Sequence, residues 1–321
     1  MVRIAHRARG TAGAPGTEDD RDLPMVDIAN RPHASGRPGG HQRPGKSPTL
    51  LTSAGRRAAK LAHVPVVAGN TIGRGVGLAV NVARYAVVDT FTLRLPVGEF
   101  IWQAWALFKV TATPAVLMAI PIGGIVTVVV SGLVAQVGAT ALLGAASGVG
   151  VLRQGAPVTA GLLMGGAAAS AIASDFGARA IREELDAMRV LGVDPVRRLV
   201  VPRFLALLLI APMLTLVIIV SGTASAFLLS VLVSDVAPGS FWNSFGTFAK
   251  MTDVYFAIGK GLIFAAIVAI VSSMRGMEAK GGPRGVADAV NAAVVINVIL
   301  ILFANLLITQ ISTMFFPTAV A

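Results

Sequence analysis

Four stretches of this 321-residue chain contain no charged residue: Val110–Leu152, Gln154–Ser174, Phe204–Ser234 and Ala289–Ala321. A fifth, Val254–Met274, holds only Lys260. A helix needs roughly 20 apolar residues to cross a bilayer, and buried helices of soluble cores rarely run that long without a charge. Composition agrees, because only 13% of residues are charged, against about 25% in a soluble domain. The mean hydropathy is +0.74. The sequence therefore predicts an all-α integral membrane protein with spans near 114–137, 157–177, 202–234, 254–274 and 289–313. The glycine-rich stretch 138–152 reads as an extracytoplasmic loop or a short re-entrant helix, with an extra span as the remaining alternative.

Three regions follow from this pattern. Residues 1–70, rich in Gly, Pro and Arg, read as a disordered cytoplasmic tail, because so few large apolar side chains cannot offset the entropy of ordering. Residues 71–112 read as an amphipathic interfacial helix region and 113–321 as the transmembrane domain. In "FTLRLPVGEFIWQAWALFKV", Phe100, Trp102, Trp105 and Phe108 stand beside Arg94, Glu99 and Lys109, a mixture suited to the headgroup zone. The same stretch also fits the tapered start of the first span. Gly40 to Ser47 matches the phosphate-loop pattern G-x-x-x-x-G-K-S, but no strand precedes it and Pro48 follows at once, so a nucleotide site is not expected there.

Orientation comes from loop charge. Arg179, Arg182, Arg189, Arg197, Arg198 and Arg203 lie between the second and third spans, and Arg275, Lys280 and Arg284 between the fourth and fifth. Only Arg153, Lys250 and Lys260 fall toward the other side. The excess of basic residues marks the cytoplasmic face, which gives a multi-pass plasma (inner) membrane protein with a cytoplasmic N-terminus. Fifteen of the 27 Lys and Arg precede residue 110, so the net charge of +11 reflects topology and not nucleic-acid binding.

Reactive chemistry is sparse. There is no cysteine, and His6, His33, His41 and His63 all precede the first span, so no catalytic set, metal site or cofactor is expected in this chain. Apart from Asp175 and Arg203 at the ends of the second and third, the predicted spans hold no Asp, Glu, His or Arg, and Lys260 is expected to snorkel outward beside Tyr255. An ion-coupled carrier needs embedded ionisable groups, which counts against that class. Gly123-Gly124, Gly161-x-x-x-Gly165 and the Gly166–Ser170 spacing allow close helix packing, and Asn297, Asn305 and Thr309 should bond across helices. Such an interior suits a lipid better than an ion or a sugar.

One segment stands apart. "GARAIREELDAMRVLGVDP", Gly177 to Pro195, carries seven charges between two apolar runs. Ile181, Leu185, Met188 and Leu191 fall at i, i+4, i+7 and i+10, which predicts one amphipathic helix. Arg179–Glu183 and Arg182–Asp186 are i,i+4 partners on its polar face. Gly192 is placed to close it in the left-handed conformation, and Asp194-Pro195 to cap the next helix. A span-to-span turn needs only a few residues, so this helix reads as a docking element for a partner, with plain connection as the alternative.

These residues also carry a resemblance. "REELDAMRVLGVDPVRRLVVPR" resembles the E-E-x-D-A-x-x-x-[LM]-G-[IV]-[DN]-P segment of the MlaE/YrbE permease family. "GEFIWQAW", "SDFGARAIREE" and "GGPRGVADAVNAAVV" are similar to other family segments, so the likeness covers roughly residues 90–315. It leans toward the actinobacterial YrbE branch, its A-type more than its B-type. The resemblance implies an interfacial helix, five spans and a coupling helix made by Arg182, Glu183, Glu184, Leu185, Asp186, Ala187, Arg189 and Gly192. It further implies a separate cytoplasmic ATPase that binds ATP and Mg, a second YrbE-type permease, Mce-domain proteins on the outer side, and a lipid substrate. The competing classes are a non-transporting scaffold for Mce proteins, a secondary lipid carrier, and a membrane enzyme. The last lacks catalytic groups, and the first two should survive loss of Glu183 and Glu184.

Overall fold

The computed structural model describes residues 73–88 and 97–315. The expectations for the tail, including the Gly40–Ser47 stretch, lie outside these residues. The described residues are helical and contain no strand: α1 (73–88), α2 (Val97–Gln136), α3 (Leu143–Gly150), α4 (Ala156–Leu163), α5 (Ala169–Ile181), α6 (Glu184–Val190), α7 (Val201–Leu232), α8 (Pro238–Phe248), α9 (Met251–Met277) and α10 (Pro283–Phe315). Five helical stretches are long and apolar enough to cross a membrane: Phe100–Gln136, Thr140–Ile181, Val196–Leu232, Met251–Met277 and Pro283–Phe315. The protein is an all-α, multi-pass membrane protein.

The second span is the central one. Its most apolar window is 67% buried, against 22% and 17% for the first and last spans, whose leucines and isoleucines face outward. The helix α2 packs along α7, α5 lies on α9 and α10, and α9 contacts α7 and α10. Small residues set these approaches. A Cβ at Gly123 would overlap the carbonyl of Gly222, so α2 and α7 meet backbone to backbone. Gly161 faces Phe264 and Ile301, Gly165 faces Ile301 and Asn297, and Gly276 faces Ala173 and Phe176. Gly166 faces open space, so its spacing to Ser170 serves no helix contact.

Three boundaries differ from those expected. Residues 138–152 form neither a loop nor an extra span: after the short turn Thr140–Leu142, α3 continues through a π-turn at Val151–Gly155 into α4. Its glycines are packing positions, since a side chain at Gly144 would overlap Phe241 and one at Gly148 the Phe245 ring. Both partners belong to α8, a helix that the sequence reading did not anticipate. Second, α2 is one 40-residue helix in which Pro114 and Pro121 are interior, so the aromatic stretch from Phe100 is the tapered start of the first span. The separate pre-membrane helix is α1. It docks on the ends of α7 and α9 through buried Val82, an Arg74–Glu278 ion pair (3.2 Å) and the Arg197 guanidinium over the Tyr85 ring.

Third, the polar segment is not one helix. The helix α5 ends at Ile181, Glu183 takes the left-handed conformation (φ 59°), and α6 restarts at Glu184. The break separates Ile181 from Leu185, and Leu191 is 78% exposed, not part of a buried stripe.

Replacing Gly123 with Ala is expected to cost about 1–3 kcal/mol, because the new Cβ meets fixed backbone and not a side chain that can move. Gly132→Ala, with nothing within 4 Å, should be neutral. Thermal unfolding of the detergent-solubilised variants decides between them.

Candidate functional site

Two polar assemblies stand at opposite ends of this bundle. The first surrounds α6, at the end that carries the basic loops. Leu185 is buried and Met188 packs on the core, while Arg182, Glu183, Asp186, Ala187, Arg189 and Gly192 are exposed. Val190 (88%) and Leu191 (78%) are exposed apolar residues on the same projection. The carbonyl of Glu183 accepts the Ala187 N–H and so starts α6 (3.0 Å). Gly192 closes it at φ 76°, as the spacing predicted. Val196 N–H donates to Asp194 Oδ1 (2.9 Å), which caps the next helix.

The kink at Glu183 changes the ion pairs. In place of Arg179–Glu183 and Arg182–Asp186, Arg182 pairs with Glu184 (2.7 Å) and Arg189 with Asp186 (2.7 Å). Arg179 bridges Asp175 (3.2 Å) and Glu184 (3.6 Å). Asp175 in turn pairs with Arg203 of the third span, whose guanidinium lies 4.3 Å from the centre of the Phe176 ring. A chain of charges thus runs from the exposed turn into the second and third spans.

The second assembly lies at the far end. Arg153, read from sequence as a loop residue, sits in the Val151–Gly155 π-turn, the first of two in the second span, and pairs with Asp253 of α9 (2.9 Å). The Asp253 side chain is only 4% exposed. It also accepts the Lys250 N–H at the start of α9 (3.2 Å). Lys260 does not snorkel outward: it is 5% exposed and donates to the Arg153 carbonyl (3.1 Å) and to Thr309 Oγ1 (2.9 Å). The spans therefore do hold ionisable groups: Arg153 and Asp253, because the helices extend past the uncharged runs, and Lys260 inside one of them. Gln154 links the fifth span, donating to Thr309 Oγ1 (3.2 Å) and accepting from Asn305 Nδ2 (3.1 Å). Asn297 lies deeper and donates to Ser272 Oγ of α9 (2.9 Å). Asn297, Asn305 and Thr309 all bond across helices, but only the last two join the far-end cluster.

This cluster opens onto a cleft of about 370 Å³, whose walls include Val149, Phe256 and Ala257. An adjoining cleft of similar size shares Ala146, Val149 and Arg153 with it and reaches Leu142, Phe248 and Lys250. Three cations, Arg153, Lys250 and Lys260, and one carboxylate, Asp253, line the two clefts among apolar walls. Charged and hydroxyl groups set against apolar walls suit a molecule with one polar and one apolar end.

Comparison with known proteins follows this geometry. The profile of the family described as Permease MlaE matches residues 100–311. A probable ABC transporter permease of Synechocystis is 32% identical over 184 residues, 57% of this chain and 70% of that protein. The chloroplastic protein TRIGALACTOSYLDIACYLGLYCEROL 1 of Arabidopsis thaliana is 32% identical over 158 residues, 49% of this chain and 45% of its own length. The intermembrane phospholipid transport system permease protein MlaE of Haemophilus influenzae is 28% identical over 170 residues, 53% of this chain and 65% of its own. In these last two the chain spans less than two thirds of the relative.

Removing the Asp253 charge leaves Arg153 without its carboxylate. Breaking a fully buried pair costs about 3–5 kcal/mol, and the Arg153 side chain is 26% exposed, so Asp253→Asn is expected to cost about 2 kcal/mol. The double variant Arg153→Gln/Asp253→Asn should recover most of this. A double-mutant cycle by denaturant or thermal unfolding measures the coupling.

Proposed function

The chain belongs to the MlaE permease family, and on that premise we propose that it is the membrane subunit of an ATP-driven, Mce-type lipid transporter. In this reading the basic end is cytoplasmic and the membrane is the plasma (inner) membrane. A separate ATPase, which holds ATP and Mg, docks on Arg182–Gly192. A second YrbE-type permease completes the lipid pathway, and Mce-domain proteins meet the outer side. The observation that carries the proposal is the projecting turn at Glu183. It exposes Glu183, Asp186, Ala187, Val190 and Leu191 together while Leu185 anchors it to the core. An exposed apolar pair flanked by carboxylates gains by being covered by a protein surface.

The charge chain supplies the coupling. A displacement of α6 pulls on Arg179 through Glu184, then on Asp175, and reaches the third span at Arg203. Rigid helices carry the motion to the outer cleft, because a packed bundle moves as bodies and not as a gel. At that cleft Arg153 and Lys260 face an anionic lipid headgroup. The chain itself is a permease subunit, with hydrolysis performed by its partner.

Co-purification tests this directly. Wild-type chain should bring down an ATPase subunit, and Glu183→Ala/Glu184→Ala should not. Glu183→Gly separates charge from geometry. It removes one carboxylate but suits the left-handed turn better by about 1 kcal/mol, so it should retain more ATPase than Glu183→Ala. Equal recovery with wild type and the double-alanine variant would overturn the docking assignment.

A further inference from the structure

We propose that α3 and α8 form a hinged gate over the two outer clefts, turning as one unit to admit a lipid. The identity of the ligand rests on the function proposed above. Both helices join the rest of the bundle through irregular backbone. The π-turn Val151–Gly155 separates α3 from α4. Extended residues, Ala249 (ψ 110°) and Lys250 (ψ 150°), separate α8 from α9. The two breaks lie at one level, because Arg153 within the first pairs with Asp253 just past the second (2.9 Å). Hinges are a few element-terminal residues that absorb a change in backbone angle, and π-turns are places where helices kink. Two such breaks side by side, pinned by one ion pair, make an axis.

Beyond this axis, α3 and α8 are each other's chief neighbour. Gly144 meets Phe241 and Gly148 meets the Phe245 ring. Leu143, Val236 and Phe241, with Phe227 and Phe245 against them, form a small core separate from the main one. The Ser244 and Thr247 hydroxyls donate to carbonyls of α8 itself (3.1 and 2.8 Å). The pair can therefore tilt without opening the main core. A tilt changes both clefts, because α3 is a wall of each through Ala146 and Val149. Opposite it stand Lys260 of α9 and Thr309 of α10 in one cleft, and Thr247 and Phe248 of α8 in the other. A lipid seated between α3 and α9 touches the gate on one side and the fixed bundle on the other. Its affinity then depends on their separation, and a ligand that favours one separation shifts the population toward it.

A turn of about 20°, the size of a kink at a π-turn, moves the far end of the 11-residue α8, about 16 Å long, by about 5 Å. The chain has no cysteine, so introduced pairs can carry spin labels for distance measurement by electron paramagnetic resonance on the full chain in detergent. Gly239→Cys, at the far end of α8 where a side chain meets nothing within 4 Å, and Gln310→Cys report the gate against α10. Ser174→Cys and Asn291→Cys report α5 against α10. Added phosphatidylglycerol, its retention checked by native mass spectrometry, should shift the first distance by about 5 Å and leave the second unchanged. Asp253→Asn, which unpins the axis, should broaden the first distance without lipid. Retained lipid with the first distance unmoved overturns the gate and leaves the proposed function standing. Both distances moving together overturn the hinge. An Asp253→Asn chain with the wild-type distribution overturns the axis. No retained lipid overturns the proposed function and the gate with it.

Discussion

A bilayer interior has no water to satisfy a peptide group, and every regular and irregular feature of this bundle obeys that constraint. Backbone donors and acceptors are met inside helices, including through prolines and π-turns that would open a loop in a soluble protein. Most polar side chains in the spans find a partner on the protein too, the hydroxyls of Thr223 and Ser273 being exceptions. Thr111, Thr127, Ser147, Thr215 and Ser230 bond back to carbonyls one turn earlier. Longer polar side chains reach across instead, as Gln154 does to the fifth span.

The same constraint concentrates ionised groups at the two ends of the bundle. Arg153, Asp253 and Lys260 form one island, and Asp175, Arg179, Arg203 and Glu184 the other. Between them the core is Ala, Leu, Ile and Phe, with Asn297 and Ser272 as a neutral pair on the way. Two polar stations separated by packed hydrocarbon give a membrane protein something to do at each face and a stiff body to connect them. The Gly123–Gly222 contact brings α2 and α7 to backbone distance within that body.

The spans were legible because length without charge has one physical meaning. So were the cap at Asp194 and the left-handed Gly192, where local chemistry decides the conformation. What could not be read depends on distant partners. Gly144 and Gly148 have the composition of a loop, and only Phe241 and Phe245, about a hundred residues away, turn them into helix-packing sites. The break at Glu183 had no signal, because a glutamate in the left-handed region costs energy that only its surroundings can hold in place. The Arg153–Asp253 pair was the recoverable omission. Topology alone puts an arginine and an aspartate at the same end of neighbouring spans, and opposite charges there ask to be joined.

The π-turn at Val151–Gly155 has a consequence beyond local hydrogen bonding. Ala156 N–H reaches back five residues to the Val151 carbonyl, so the second span holds one residue more than a regular helix would need over that distance. Each residue turns a helix by about 100°. The extra one rotates α3 against α4, aiming Gly144 and Gly148 at α8 while Gly161 still faces α9 and α10; a second π-turn at Met164–Ala168 separates α4 from α5. It also presents the Arg153 carbonyl to Lys260. The two faces of this helix are therefore set by a count and not by a composition. An insertion or deletion of a single residue here would rewrite which neighbours the outer half meets, with every side chain unchanged. Length, to the residue, is what decides the neighbours at this point of the fold.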